Sequence, residues 1–218
     1  MSAPGPLDLP AVLSALAEQR PVFHSEADFQ HALAWAIRER HPNMKVRLEY
    51  AVTLDGKRGH VDIRLDDADG PKVVELKYWT RELDLIVDDE EYRLREHGRE
   101  PLARYDLWRD IARIERLIDD KLVGGGHIVA LTNVQGYWNA GRPGTIDEGL
   151  RIHEGHVVHG SLSLSPKAKP GTTKGREKPI ELRGSYVTRW RPYSQPAEVP
   201  GGEFRYLLLD VGAGLRAS

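Results

Sequence analysis

At 218 residues, with 40% hydrophobic and 29% charged residues, the chain has the length and apolar content of one soluble globular domain. A formal net charge of −2 excludes a uniformly basic nucleic-acid binder and leaves any such contact to a local patch. The absence of cysteine excludes disulfides, thiol nucleophiles and thiolate zinc sites.

The opening stretch MSAPGPLDLP lacks the basic start and apolar run of a secretion signal. No segment approaches the roughly 18 unbroken apolar residues of a membrane helix, so a cytoplasmic protein is expected. A short helix is predicted over Leu9 to Gln19. A longer one starts after Ser25, an N-cap, with Asp28 as its capping-box partner, and stops before Pro42. Phe29, Leu33, Ala36 and Ile37 follow its helical period.

Three strands follow as a meander: VRLEYAVTL, GHVDIRL and KVVELKYW, with Asp55-Gly56 and DDADGP as turns. Val61, Ile63 and Leu65 are predicted to share one face of the second strand, with Asp62 on the other. Glu49 reads as a surface residue. Residues 81–100 hold eight acidic and four basic residues and suggest a solvated, partly helical excursion. A helix from about Leu102 to Leu122 carries Leu107, Ile111, Ile114 and Ile118 as its stripe, with Gly124 to Gly126 ending it. HIVALTN is a short buried strand. LRIHEGHVVHGSLSL reads as a hairpin turning at Glu154-Gly155. Residues 166–180 form a loop rich in Lys, Pro and Gly, and two strands are expected at 181–190 and near Phe204 to Val211. The order implies one α/β domain over 1–218, a sheet with helices packed on it.

VELKYW poses the chemical question. Residues i and i+2 of a strand share a face, so Glu75 and Lys77 project together with Val73 and Trp79. Val74, Leu76 and Tyr78 pack the opposite face. If the second and third strands pair, Asp62 lies beside Glu75. Two carboxylates brought together at a sheet repel, and a hard divalent cation relieves them. Lys77 supplies a compact cation to orient a metal-bound water or to stabilise charge on phosphorus oxygens. Asp62, Glu75 and Lys77 are therefore the parts needed for metal-dependent phosphodiester hydrolysis.

Asp62 in GHVD, then Glu75 and Lys77 in VELK, after a helix bearing Glu26, resembles the PD-(D/E)XK nuclease superfamily. Roughly one Glu-x-Lys is expected by chance in a chain of this length, so the weight lies in its apolar flanks and in Asp62. The proline that names the family is replaced by His60-Val61. The resemblance implies a restriction-endonuclease-like αβββαβ core over residues 25–133. It further implies a mixed central sheet flanked by helices, with 134–218 a β-rich extension of C-terminal hairpins. It implies Mg²⁺, with Mn²⁺ able to substitute, held by Asp62, Glu75, the Leu76 carbonyl and Glu26. Gln30, one turn on, is the alternative to Glu26. Lys77 then positions or activates the attacking water. The implied substrate is nucleic acid, DNA ahead of RNA, in defence or repair, and a homodimer is compatible with the two strands of a duplex. ELKYWT, RYDLWRDIARIE, LTNVQGYW and RGSYVTRWRPYS also resemble a group of uncharacterised bacterial proteins with this core.

Other readings stand beside these. Glu75 and Lys77 could line a wet strand face, and Glu26 could simply suit a helix N-terminus. A non-catalytic module of the same fold, binding nucleic acid or a protein, is the second function. A phosphoesterase acting on a small nucleotide is the third. The basic loop offers Lys167, Lys169, Lys174 and Arg176 to phosphates. Arg109 and Arg113 lie beside the helix stripe and could also reach phosphate. His153, His156 and His159 flank a turn and make a weak zinc candidate.

Overall fold

The computed structural model describes residues 7–212; most of the MSAPGPLDLP stretch lies outside the described residues. Helix α1 (Leu9–Gln19) opens where the Asp8 side chain accepts the Ala11 N–H at 3.0 Å. Helix α2 (Glu26–Arg40) opens where Ser25 Oγ accepts the Asp28 N–H at 3.1 Å. Asp28 does not reach back to Ser25. Its carboxylate takes the His24 N–H and the Arg20 guanidinium instead, closing the cap one residue further out. Among the described residues no helix is long and apolar enough to cross a membrane.

Strands β1 (Lys45–Leu54), β2 (Lys57–Asp67) and β3 (Gly70–Trp79) form the expected antiparallel meander. Residues 83–94 depart from expectation. They form a hairpin, β4 (Leu83–Val87) with β5 (Glu90–Leu94), instead of an irregular, partly helical excursion. Leu83, Tyr92 and Leu94 point inward and the charges point out. Asp88 and Asp89 take left-handed φ values of 50° and 64°, which suit a two-residue turn between right-twisted strands.

Helix α3 (Glu100–Asp119) is closed by Lys121 at φ 58°, not by the glycines. Gly125 and Gly126 belong to β6 (Gly125–Thr132). Gly126 is there for room: a Cβ on it would lie 2.7 Å from Ile114 Cγ2 and 2.9 Å from Val73 Cγ2. Gly126→Ala is expected to cost about 1–3 kcal/mol through overpacking, read as a lower urea midpoint at unchanged slope.

The C-terminal part also differs. Residues 151–156 are not a strand, and β7 (Val157–Leu162) pairs with β8 (Ile180–Val187), the short helix α4 (Pro170–Thr173) lying between them. The Glu154-Gly155 turn is held elsewhere: the Gly155 N–H goes to the Thr188 carbonyl and the Trp190 N–H to the Glu154 carboxylate. Strands β9 (Trp190–Ser194) and β10 (Phe204–Gly212) then enter the central sheet, whose order is β1-β2-β3-β6-β10-β9. Only β3 and β6 run parallel; the other neighbours are antiparallel. The mixed six-stranded sheet is flanked by helices. Residues 134–212 thus complete the sheet as well as extending it.

Two apolar layers result. Phe29, Leu33 and Ile37 of α2 pack on Ile63, Val74, Leu76 and Val129. Ile111 and Ile114 of α3 pack on Val73, Ile128, Ala130 and Leu207. The β7–β8 pair is pinned to α3 by buried Glu115, which accepts the Arg183 and Gly184 N–H groups and the Tyr186 hydroxyl.

Candidate active site

The site lies where β2 leaves β3. Their ladder runs from Asp67↔Gly70 to Ile63↔Val74 and stops there. Beyond it β3 stays paired with β6 on its other side, through Trp79↔Thr132. The N–H groups of Leu76 and Tyr78 therefore lose a strand partner on the β2 side. Carboxylates replace it: Asp62 Oδ2 accepts from Leu76 N at 2.6 Å and Glu26 Oε2 from Tyr78 N at 2.8 Å. The Leu76 carbonyl leaves the strand on the same edge as its N–H, so it faces the same fork.

A local break in β2 sets this up. Val61 packs in the α3 layer, whereas Ile63 and Leu65 pack in the α2 layer. Simple alternation predicts one shared face for the three, and the structure divides them between two. The switch falls at Asp62, opposite Glu49, where the β1–β2 register skips a pair. Glu49 has φ 48°, an uncommon left-handed value for a residue with a side chain. Gln30 of α2 locks the break: its Nε2 donates to Glu49 Oε1 at 2.8 Å and to the Asp62 carbonyl at 2.7 Å. Glu49 is exposed, as expected, but its carboxylate is engaged. Of the two α2 candidates, Glu26 supplies a carboxylate to the fork and Gln30 holds the backbone of Asp62.

Glu75 and Lys77 share the α3 side of β3 with Val73 and Trp79, as predicted. Glu75 is buried at 2% exposure. Two residues of α3 meet this pair. Asp110 Oδ2 lies 2.8 Å from Lys77 Nζ, and Arg113 Nη2 lies 2.5 Å from Glu75 Oε1 and 3.3 Å from Asp110 Oδ1. Arg113 also donates to the His60 carbonyl at 3.1 Å. The Arg113–Glu75 contact is close but lacks hydrogen-bond geometry, and Glu75 Oε1 has no hydrogen-bond partner. Asp110 escaped sequence reasoning. Its signal was its place one residue outside the Leu107–Ile111–Ile114 stripe, three residues before Arg113.

Four carboxylates, Glu26, Asp62, Glu75 and Asp110, thus face two cations, Lys77 and Arg113. Burial pushes Glu75 well above the usual carboxylate range, against the pull of Arg113, and Asp62 and Asp110 push it further. Burial likewise raises Asp62 and Glu26, outweighing their backbone hydrogen bonds and Lys77. For Lys77, burial favours the neutral amine, but Asp110, Glu26 and Glu75 together outweigh it and raise the pKa, so the ammonium persists.

The donor chemistry suits a hard divalent ion. Asp62 and Glu26 each spend one oxygen on a backbone N–H, and Glu75 offers an unbonded buried oxygen. Among the described residues no three acidic or histidine side chains converge closely enough to hold an ion unaided. Mg²⁺ takes one or two carboxylates and completes its shell with waters and phosphate.

A cleft of about 350 Å³ opens beside Lys77, lined by Trp79, His97, Arg99, Arg109 and Asp110 among others. The basic loop reaches this cleft. Arg176 grips Asp106, on the cleft wall, at 2.6 Å, and the Tyr105 hydroxyl donates to the Lys178 carbonyl at 2.7 Å. Arg176 is therefore a tether, while Lys167, Lys169 and Lys174 are exposed. Arg109 pairs with Asp106 and is half-exposed. His153 and His156 stack at 4.5 Å, with His156 lowered by burial and by its neighbour, and His159 lies on β7 opposite Ser185.

Comparison with family models, with curated proteins and with solved structures gave no match.

Proposed function

We propose that the protein is a divalent-metal-dependent nuclease, built on a restriction-endonuclease-like core, that hydrolyses phosphodiester bonds of DNA. The observation that carries the reading is the gathering of Glu26, Asp62, Glu75 and Lys77 at the fork between β2 and β3. Asp62, Glu75, the Leu76 carbonyl and Glu26 are the groups that would hold the ion. A bound Mg²⁺ or Mn²⁺ supplies a nucleophilic water and a Lewis acid for the phosphoryl oxygens.

The chain's own residues do the rest. Asp62 and Glu26 are fixed by the Leu76 and Tyr78 N–H groups, so their remaining oxygens keep one direction without reorganising. Lys77 is an ammonium held by Asp110, which suits it to stabilise charge on the phosphate and makes it a poor proton acceptor. The cleft beside Lys77 receives the scissile phosphate, with Arg99 and Arg109 at its walls. Lys167, Lys169 and Lys174 hold the flanking backbone without reading sequence. Metal excess with linear, circular and single-stranded DNA is expected to give cleavage that EDTA and Asp62→Ala both abolish. Cleavage that persists in EDTA would sink the mechanism.

The contact of Arg113 with Glu75 favours a second reading, a nuclease-fold module that binds nucleic acid without cutting it. DNA binding with no cleavage in Mg²⁺ or Mn²⁺ selects that reading.

A further inference from the structure

The nuclease reading leaves one surface unused. A groove of about 590 Å³ runs between α2 and β1, with His31, Trp35 and Arg38 on one lip and Lys45 and Arg47 on the other. No carboxylate lines it. Trp35 is 69% exposed, while the other four tryptophans are buried. With Ala34, Val46 and Leu48 it forms an apolar patch rimmed by cations. Among the described residues neither Lys45 nor Arg47 is in an ion pair. Arg38 is occupied by the Pro42 and Met44 carbonyls, which fix it while leaving its charge unneutralised.

The position of the groove matters. The Gln30–Glu49 bond joins the same two elements at the groove's end, and the same Gln30 amide holds the Asp62 carbonyl. His31 and Leu48 of its lining are the sequence neighbours of Gln30 and Glu49, so the groove opens towards the candidate active site. We propose that it is a subsite for an unpaired DNA strand, with one base stacked on Trp35 and the backbone phosphates held by Lys45 and Arg47. Trp35 offers a π-face to a base, and only a strand freed from its complement presents a base face to it. Exposed cations outside any ion pair suit the phosphates. The volume suits one or two nucleotides and not a duplex. The strand would then run from the groove past Gln30 into the fork. This inference rests on the nuclease reading for its occupant and adds that the site works on single-stranded or opened DNA.

Binding is tested without cleavage, in EDTA, by titrating the protein with a deoxythymidine 20-mer and with a duplex of equal length. The single strand is expected to quench tryptophan emission, since Trp35 is the exposed fluorophore, and to bind tighter than the duplex. Trp35→Ala is expected to lose the quench and to weaken binding of a labelled 20-mer about tenfold. Lys45→Ala with Arg47→Ala is expected to lower the slope of log affinity against log salt by roughly 1.4 for two phosphates. Trp35 and both cations are exposed, so these variants are expected to keep the wild-type circular dichroism. The proposal is overturned if Trp35→Ala binds the 20-mer as wild type does, if duplex binds as well as single strand, or if polyglutamate competes equally. Unchanged affinity in Trp35→Ala together with EDTA-sensitive cleavage by wild type removes the groove and keeps the nuclease. Trp35-dependent binding with no cleavage in any metal keeps the groove and removes the nuclease.

Discussion

Replacing Lys77 with alanine is expected to lower the proposed Mg²⁺-dependent cleavage by about 10²–10³-fold, the usual loss when one preorganised donor to a developing oxyanion is removed. The effect falls on the chemical step, so single-turnover rates drop while DNA affinity changes little. Lys77→Arg keeps the charge but replaces a compact ammonium with a planar fork, so it restores only part of the rate. The same change has a structural cost. Asp110 is buried and keeps only Arg113, at 3.3 Å, once Lys77 is gone. Breaking a buried pair costs about 3–5 kcal/mol, and the remaining guanidinium places this case near the lower end. Asp110→Asn in the Lys77→Ala background removes the orphaned charge and is expected to recover stability without recovering cleavage. Thermal melts beside the rate measurements separate the two losses.

The second large effect is a reversed dependence of stability on pH. Glu26, Asp62 and Glu75 all have folded-state pKa values above their ordinary ones, mainly through burial. The folded chain therefore binds protons that the unfolded chain releases. Their contribution is fully present below the ordinary carboxylate values, near 4, and is lost as pH rises through the raised folded values. Metal-free protein is thus expected to melt at a lower temperature at pH 7.5 than at pH 5. Asp147 and Asp210, whose values are lowered, act only in the acid range below about 4, whereas His156, lowered by burial and His153, gains stability as pH rises through its ordinary value and offsets part of this trend. A divalent ion removes the penalty where the carboxylates are charged. Saturating Mg²⁺ at pH 7.5 is expected to raise the melting temperature by on the order of 5 °C, with a smaller rise at pH 5. The rise vanishes in Asp62→Ala. An equal shift at both pH values, or one that survives Asp62→Ala, would place the ion elsewhere.

What was legible in the sequence was local. Both N-terminal helices, the meander and the shared face of Glu75 and Lys77 follow from caps, turns and period-2 alternation. The 83–94 hairpin was hidden because its charges dominated the composition, although Leu83, Leu85 and Val87, and then Tyr92 and Leu94, mark the strand period. The break at Asp62 was hidden for a different reason. It depends on Gln30 reaching across from α2 to hold Glu49 in a left-handed conformation, a contact between residues 19 apart that alternation does not encode. Arg113 and Asp110 were visible as charges, but their partners on β3 lie 38 and 33 residues earlier in the chain. The placement of β10 beside β6 needed the whole sheet, since the intervening segment gives no clue to which edge it joins.

The late strands have a consequence for how the chain comes together in time. The corner between α1 and α2 is closed from the far end of the sequence: the Tyr193 hydroxyl donates to the Arg20 carbonyl at 2.9 Å and Ser194 Oγ to the Pro21 carbonyl at 2.5 Å, each across 173 residues. A ribosome has to deliver Ser194 before that corner finds its partners, although the apolar face of α2 can close on β2, β3 and β6 once Thr132 has been made. Closing so long a loop is slow, and refolding in milliseconds to seconds follows from it. A fragment ending after Thr132 would carry every proposed catalytic residue yet leave β6 as a bare hydrophobic edge, prone to pair with another nascent chain.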